Sequence, residues 1–210
     1  MNISDAVATH ARLTPNKIGA RDSVRSLTFA EWHERATQLA NGLLALGLTK
    51  GDRVALLAYN RVEWMEMYAG LARAGLVAVP LNFRLMTAEI DYILGHSGAV
   101  AMIVQDELIE RVEPLRAKLN LPSKVFIALG EAANEGWTAY EQILATAPLN
   151  EPPVSVLPSD MSALMYTSGT TGRPKGAVRS HEGSSLIALA TARSIYVSPV
   201  IFLSPEKMSG

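Results

Sequence analysis

Apolar residues fall along this chain in two alternating patterns. In the first they recur at helical spacing. Trp32, Ala36, Leu39, Ala40, Leu43 and Leu44 share one face of a segment that opens at Thr28 and closes at Gly47. Thr28 with Glu31 three residues on has the form of a capping box, and Gly47 suits the left-handed residue that ends a helix. In the second pattern apolar residues form short, nearly unbroken runs at 54–58, 77–81, 100–104 and 124–128. Such runs predict strands buried on both faces, because a half-exposed strand alternates. Helical spacing returns at 61–74, from Thr87 towards Gly95, at 106–119 and at 137–145.

Pro148, Pro152, Pro153 and Pro158 then mark a linker over 147–159. After it a strand is expected at 162–165, another at 176–179, and a helix from about 181 to 193. Strands and helices in alternation imply right-handed βαβ units. The expected fold class is α/β, a doubly wound, mostly parallel sheet flanked by helices. Ligands of such sheets sit beyond the carboxyl ends of the strands.

Composition narrows the functions open to this fold. The chain has 210 residues, 49% hydrophobic and 19% charged, with a net charge of −1. That balance suits a folded protein and leaves no basic footprint for nucleic acid or an acidic membrane surface. The absence of cysteine excludes disulfides, a thiolate nucleophile and a thiolate metal site. The first residues carry no basic stretch before an apolar core, so a secretory signal is not expected and a cytoplasmic location is. No apolar run approaches the ~20 residues of a membrane span.

Candidate chemistry concentrates in Tyr166-Thr167-Ser168-Gly169-Thr170-Thr171-Gly172-Arg173-Pro174-Lys175-Gly176. Hydroxyls, bare backbone and an ammonium group are the donors that wrap a polyphosphate, and glycine lets the main chain turn its N–H groups inward. A Walker loop is ruled out: Pro174 stands at its second glycine position, and Gly176 stands where its Mg²⁺-binding hydroxyl belongs. The loop also leads into a strand rather than a helix. A dinucleotide fingerprint is absent as well.

Residues 166–176 match throughout a signature that resembles that of the AMP-forming acyl-CoA synthetases, within the adenylate-forming enzymes. Leu27-Thr28-Phe29, Gly51-Asp52-Arg53-Val54-Ala55 and Val79-Pro80-Leu81-Asn82 look like landmarks of the same family in the same order. The resemblance implies the N-terminal AMP-binding domain, here over 1–193 and incomplete, followed by a tail at 194–210 unlike the family. It implies a two-step reaction. A carboxylate attacks the α-phosphorus of ATP and expels pyrophosphate; coenzyme A then displaces AMP to form a thioester. Thr167, Ser168, Gly169, Thr170, Thr171, Gly172 and Lys175 would hold the β- and γ-phosphates, with Lys175 in the catalytic role. Such donors help most as charge grows on the departing pyrophosphate. No metal ligand is assigned in this chain, since the family's Mg²⁺ ligands lie largely beyond it.

The family's adenine and ribose contacts, hinge and C-terminal lysine find no match in this sequence. The chain by itself is therefore expected to be inactive, with an exposed sheet edge that favours self-association. The partners implied are a fatty or aryl carboxylate, ATP and coenzyme A. Two alternatives stay open: a fragment of a peptide-synthetase adenylation domain, and a non-catalytic ATP-binding or interaction module. Other residues receive plainer readings. Arg173 is expected to face solvent, and His181 to cap a helix or lie on the surface rather than line a substrate pocket. Asn82 and Arg84 follow a strand end, where ligand and turn roles are balanced. Trp32, Trp64 and Trp137 are expected as core anchors, and Glu63, Glu66, Glu107 and Glu110 as solvated helix faces.

Overall fold

A computed structural model describes residues 2–116, 125–130, 135–167, 174–186 and 201–202. The chain opens with α1 (Ile3–Leu13), whose Asn2 and Asp5 form a capping box, and an antiparallel pair, β1 (Ile18–Arg21) and β2 (Ser26–Thr28). Then α2 (Phe29–Ala45) begins at the expected Thr28–Glu31 capping box. It ends in a Schellman turn: Gly47, at φ 92°, donates to the Leu44 carbonyl, and Leu48 to that of Leu43. β3 (Arg53–Leu57), α3 (Glu63–Ala74), β4 (Val77–Pro80), α4 (Thr87–Ser97) and β5 (Ala99–Gln105) follow. A 3₁₀ turn at Asp106–Leu108 leads into α5 (Ile109–Arg116), and β6 (Val125–Leu129) comes next. The chain continues through β7 (Thr138–Ala139), α6 (Tyr140–Thr146), β8 (Met161–Thr167), β9 (Lys175–Ser180) and β10 (Ile201–Phe202). Residues 181–186 are helical. The remainder of the helix expected to 193, and residues 117–119 of the one expected at 106–119, lie outside the described residues.

Two departures from the expected boundaries have a clear physical cause. α4 runs through Gly95 and stops only at Gly98, which takes the left-handed conformation at φ 62°. Both glycines resemble stop signals, but only the second is released from helical dihedrals. Trp137 does not begin α6, because residues 138–139 pair with β6 first. Its indole instead packs edge-on against Phe126 and donates to Glu113 at 2.9 Å.

The main sheet has the order β7-β6-β5-β3-β4-β8-β9, parallel except for the antiparallel β8–β9 pair. A second sheet joins β10, β1 and β2. Helices cover both faces of the main sheet, as doubly wound topology requires. Val54, Leu56 and Ile103 point to the face packed by Leu39 and Leu43 of α2, Met67 and Leu71 of α3, and Ile143 of α6. Ala55, Leu57 and Met102 point to the opposite face, packed by Ile90 and Ile93 of α4 and Val112 of α5. A third cluster seats α1 through Val7 against Phe29, Trp32 and Ala36. The proline-rich stretch runs along α2 and α3: Asn41 donates to the carbonyls of Pro148 and Asn150 at 2.8 Å, and Arg73 pairs with Glu151.

Glu63 and Glu66 do not lie on a solvated face. They are 6% and 0% exposed, whereas Glu107 and Glu110 are exposed. Arg35 meets the Glu66 carboxylate at 2.7 Å, Arg25 meets it at 3.3 Å, and the Tyr140 hydroxyl donates to it at 3.1 Å. Arg25 and Arg61 hold Glu63 at 3.3 and 2.7 Å. Burial raises the Glu66 carboxyl above its usual range, and the two guanidinium groups oppose that shift. The network joins α2, α3 and α6 to the turn before β2.

Removing one partner of such a network leaves the others charged and only partly hydrated. Glu66→Gln is expected to lower unfolding free energy by about 3 kcal/mol, and Glu110→Gln by less than about 0.5 kcal/mol, as read by urea titration. Equal effects would show that the buried ion group carries no special weight.

His181 is 2% exposed, its backbone N–H donates to the Asp160 carbonyl, and its Nε2 has no partner among the described residues. Burial holds its imidazole below the ordinary value, and burial does the same for His33, with Arg73 adding to the effect. The unfolded chain takes up these protons near pH 6.5 and the folded chain does not, so their contribution to stability is lost as pH falls through that region. Between pH 7.5 and 5.5 the urea midpoint of His181→Leu is expected to drop less than that of the unaltered chain. Parallel shifts would mean that His181 is not held neutral.

Candidate functional site

β8 lies beside β4 in parallel register, with Ala163 opposite Ala78. Its carboxyl end therefore points the same way as those of β3 and β4. β9 returns antiparallel, and the ladder runs from Leu164–Val178 through Met165–Ala177 and Tyr166–Gly176 to Thr167–Lys175. The two strands expected on either side of the loop are thus present and paired. Of the expected site residues, Thr167 and Lys175 are described and both are exposed. Ser168, Gly169, Thr170, Thr171 and Gly172 lie outside the described residues, as does Arg173.

Directly opposed residues on an antiparallel pair project their side chains to one face. Thr167 and Lys175 therefore project from one face of the hairpin where its described residues end. One is a short neutral donor and the other a mobile point cation, a pairing suited to adjacent phosphate oxygens. Gly176 has a packing reason as well. A Cβ there would lie 3.1 Å from Leu164 Cδ1 and 3.3 Å from Tyr166 Cζ, so the bare residue leaves room for the Tyr166 ring.

The base of the loop rests on α4. The Tyr166 hydroxyl and His96 Nδ1 are 2.7 Å apart, and the Tyr92 hydroxyl donates to the Pro174 carbonyl at 3.3 Å. The His96 ring stands nearly perpendicular to that of Tyr166, with centroids 5.7 Å apart, and lies 5.5 Å from that of Tyr92. Burial raises the Tyr166 phenol above its ordinary range, and the neighbouring Tyr92 adds to this. Sequence reasoning missed Tyr92 and His96. Their spacing of four, which places them on one helix face, was the available signal.

The other candidates resolve plainly. The Asn82 side chain accepts the Arg84 backbone N–H at 2.9 Å and the Arg84 guanidinium sits over Phe83, so both serve the turn after β4. Trp32 and Trp137 are buried and Trp64 is partly buried, as expected of packing anchors. His181 corrects the surface reading. It is buried where the proline-rich stretch meets β9, because Asp160 holds its backbone, and it lines a cavity of about 200 Å³ with Tyr68, Ser162, Arg179 and Ser184. Among the described residues no group of three or more His, Asp or Glu is placed to hold a metal ion. No described helix is long and apolar enough to cross a membrane.

The AMP-binding enzyme family model matches residues 7–205. A long-chain-fatty-acid–CoA ligase of Mycobacterium tuberculosis is 37% identical over 171 residues, covering 81% of this chain and 33% of that protein. A feruloyl-CoA synthase of an Amycolatopsis species is 40% identical over 173 residues, covering 81% of this chain and 32% of that protein. The crystal structure of an anthranilate CoA ligase in complex with anthranoyl-AMP superposes with a TM-score of 0.83 at 30% identity, over 90% of this chain and 36% of that one. The N-terminal domain of FACL13 from Mycobacterium tuberculosis superposes at 0.82 with 33% identity, over 93% and 48% of the two chains. This chain spans about a third of the length of the curated relatives it matches. Fold, loop register and relatives agree: the chain belongs to the AMP-binding enzyme family.

Proposed function

We propose that this chain is the N-terminal portion of an ATP-dependent acyl-CoA ligase that activates a fatty or aryl carboxylate through an acyl-adenylate. The observation that carries the reading is the placement of Thr167 opposite Lys175 at the carboxyl end of β8. Relatives named for long-chain fatty acids, ferulate and anthranilate support the substrate class.

In this reading Thr167, Ser168, Gly169, Thr170, Thr171, Gly172 and Lys175 hold the β- and γ-phosphates of ATP. A carboxylate oxygen bonds to the α-phosphorus as the bond to the bridging oxygen breaks, and pyrophosphate leaves with that electron pair. Lys175 and the loop hydroxyls stabilise the charge that develops there. Magnesium would add charge neutralisation at the same phosphates, with its protein ligands supplied largely from outside this chain. Coenzyme A then takes the acyl group and releases AMP. The 210 residues by themselves are proposed to bind triphosphate weakly and to make no thioester.

Among the described residues β9 is one edge of the main sheet, and Val178 on it is 65% exposed. That edge supports self-association of the isolated chain. A second reading, in which a carrier-protein thiol replaces coenzyme A, is supported by one relative. A fatty acid–acyl-carrier-protein ligase of Streptomyces coeruleorubidus is 37% identical over 183 residues.

Carboxylate-dependent exchange of pyrophosphate into ATP tests the first step without regard to the thiol. A version carrying the downstream codons of the gene is expected to exchange with fatty or aryl acids, and the 210-residue chain is not. Lys175→Ala is expected to slow exchange about a hundredfold, by loss of one preorganised donor. Absence of exchange in the extended version contradicts the ligase reading, and exchange by the short chain contradicts the proposed incompetence.

A further inference from the structure

Beyond its last pairing with β4, the β8–β9 hairpin runs on as a two-stranded ribbon. Ala163 opposite Ala78 is the β8–β4 pair, whereas the β8–β9 ladder continues from there to Thr167 opposite Lys175. A two-stranded ribbon is marginal in water without something packed against it. Thr167 and Lys175 sit at the very tip of this one, where the proposed chemistry needs fixed donors.

What packs against the tip is α4. Tyr92 and His96 lie one helical turn apart on the same face. His96 Nδ1 meets the hydroxyl of Tyr166 on one arm at 2.7 Å, and Tyr92 donates to the carbonyl of Pro174 on the other arm at 3.3 Å. Tyr166 immediately precedes Thr167, and Pro174 immediately precedes Lys175. Each of the two cradle residues thus follows directly on a residue that α4 holds. The Pro174 carbonyl belongs to the planar peptide unit that also carries the Lys175 N–H, so restraint on it passes directly to the Lys175 backbone. α4 is itself seated in the core through Ile90, Ile93 and Leu94. The contacts therefore link Tyr166 and Pro174 to the rigid side of the sheet.

We propose that Tyr92 and His96 are positioning residues of the phosphate loop: by gripping Tyr166 and the Pro174 carbonyl, α4 sets the spacing of Thr167 and Lys175 for pyrophosphate. This inference rests on the phosphate-binding reading of the loop. It adds residues that lie outside the signature at 166–176.

The test is titration of this chain with magnesium pyrophosphate, followed by amide chemical shifts, alongside urea unfolding of each variant. His96→Ala and Tyr166→Phe are each expected to weaken binding about fivefold to tenfold, the size of one hydrogen bond. The double variant is expected to be no weaker than either single one, because both remove the same contact. His96→Asn, which returns a polar atom near the Nδ1 position, is expected to recover most of the affinity. Tyr92→Phe is expected to weaken binding independently and to add to His96→Ala. Lys175→Ala separates the two ideas. If Lys175→Ala loses binding while His96→Ala and Tyr166→Phe keep it, the positioning role is overturned and the phosphate reading stands. If the unaltered chain does not bind pyrophosphate at all, both fall. If affinity and unfolding midpoint drop together and His96→Asn restores neither, the contact is structural and the inference is overturned.

Discussion

Burial of β3 on both faces is the constraint from which the rest of this structure follows. Val54, Ala55, Leu56 and Leu57 are all fully buried, so no side of the strand can face water. Successive side chains point to opposite faces of a strand, and helices must therefore cover both. The chain meets this by sending α2, α3 and α6 to one face and α4 and α5 to the other. Because β3, β4, β5 and β6 are parallel, their carboxyl ends gather at one edge. β8 joins beside β4 in the same sense and delivers its loop to that edge. The candidate site is thus a consequence of how the hydrophobic core is closed.

Polar groups complete what the apolar core begins. Glu66 sits dry among α2, α3 and α6, and two arginines together with Tyr140 satisfy it. Such a group adds little net stability over an apolar one of equal size, but it is costly to leave half-made. It therefore fixes how the helices on one face seat against one another. On the other face α4 makes a comparable polar connection outward, through Tyr92 and His96 to the two arms of the hairpin. The first network locks the scaffold, and the second ties the two arms of the β8–β9 hairpin to it.

Much of this was legible in the sequence, and the parts that were not share a cause. The apolar runs of β3 to β6, the Thr28–Glu31 capping box and the hydroxyl-rich loop are local patterns, readable within a dozen residues. α1, β1 and β2 gave no comparable signal, since β1 is four residues with a mixed burial pattern and β2 only three. Gly95 read as a helix stop because a glycine inside a helix looks like one at its end; only the dihedral at Gly98 tells them apart. The burial of Glu66 depends on Arg35, 31 residues away, Arg25, 41 away, and Tyr140, 74 away. The grip of His96 on Tyr166 spans 70 residues. Helical spacing marks which residues share a face, but it does not say what that face meets.

The proposed role of the loop is to hold the leaving group rather than the nucleoside. Hydrogen exchange of the backbone amides between Thr167 and Lys175 tests this directly, with magnesium pyrophosphate and AMP compared at equal concentration. Slower exchange across the loop with pyrophosphate, and unchanged exchange with AMP, is the predicted result. Protection by AMP without protection by pyrophosphate would contradict it.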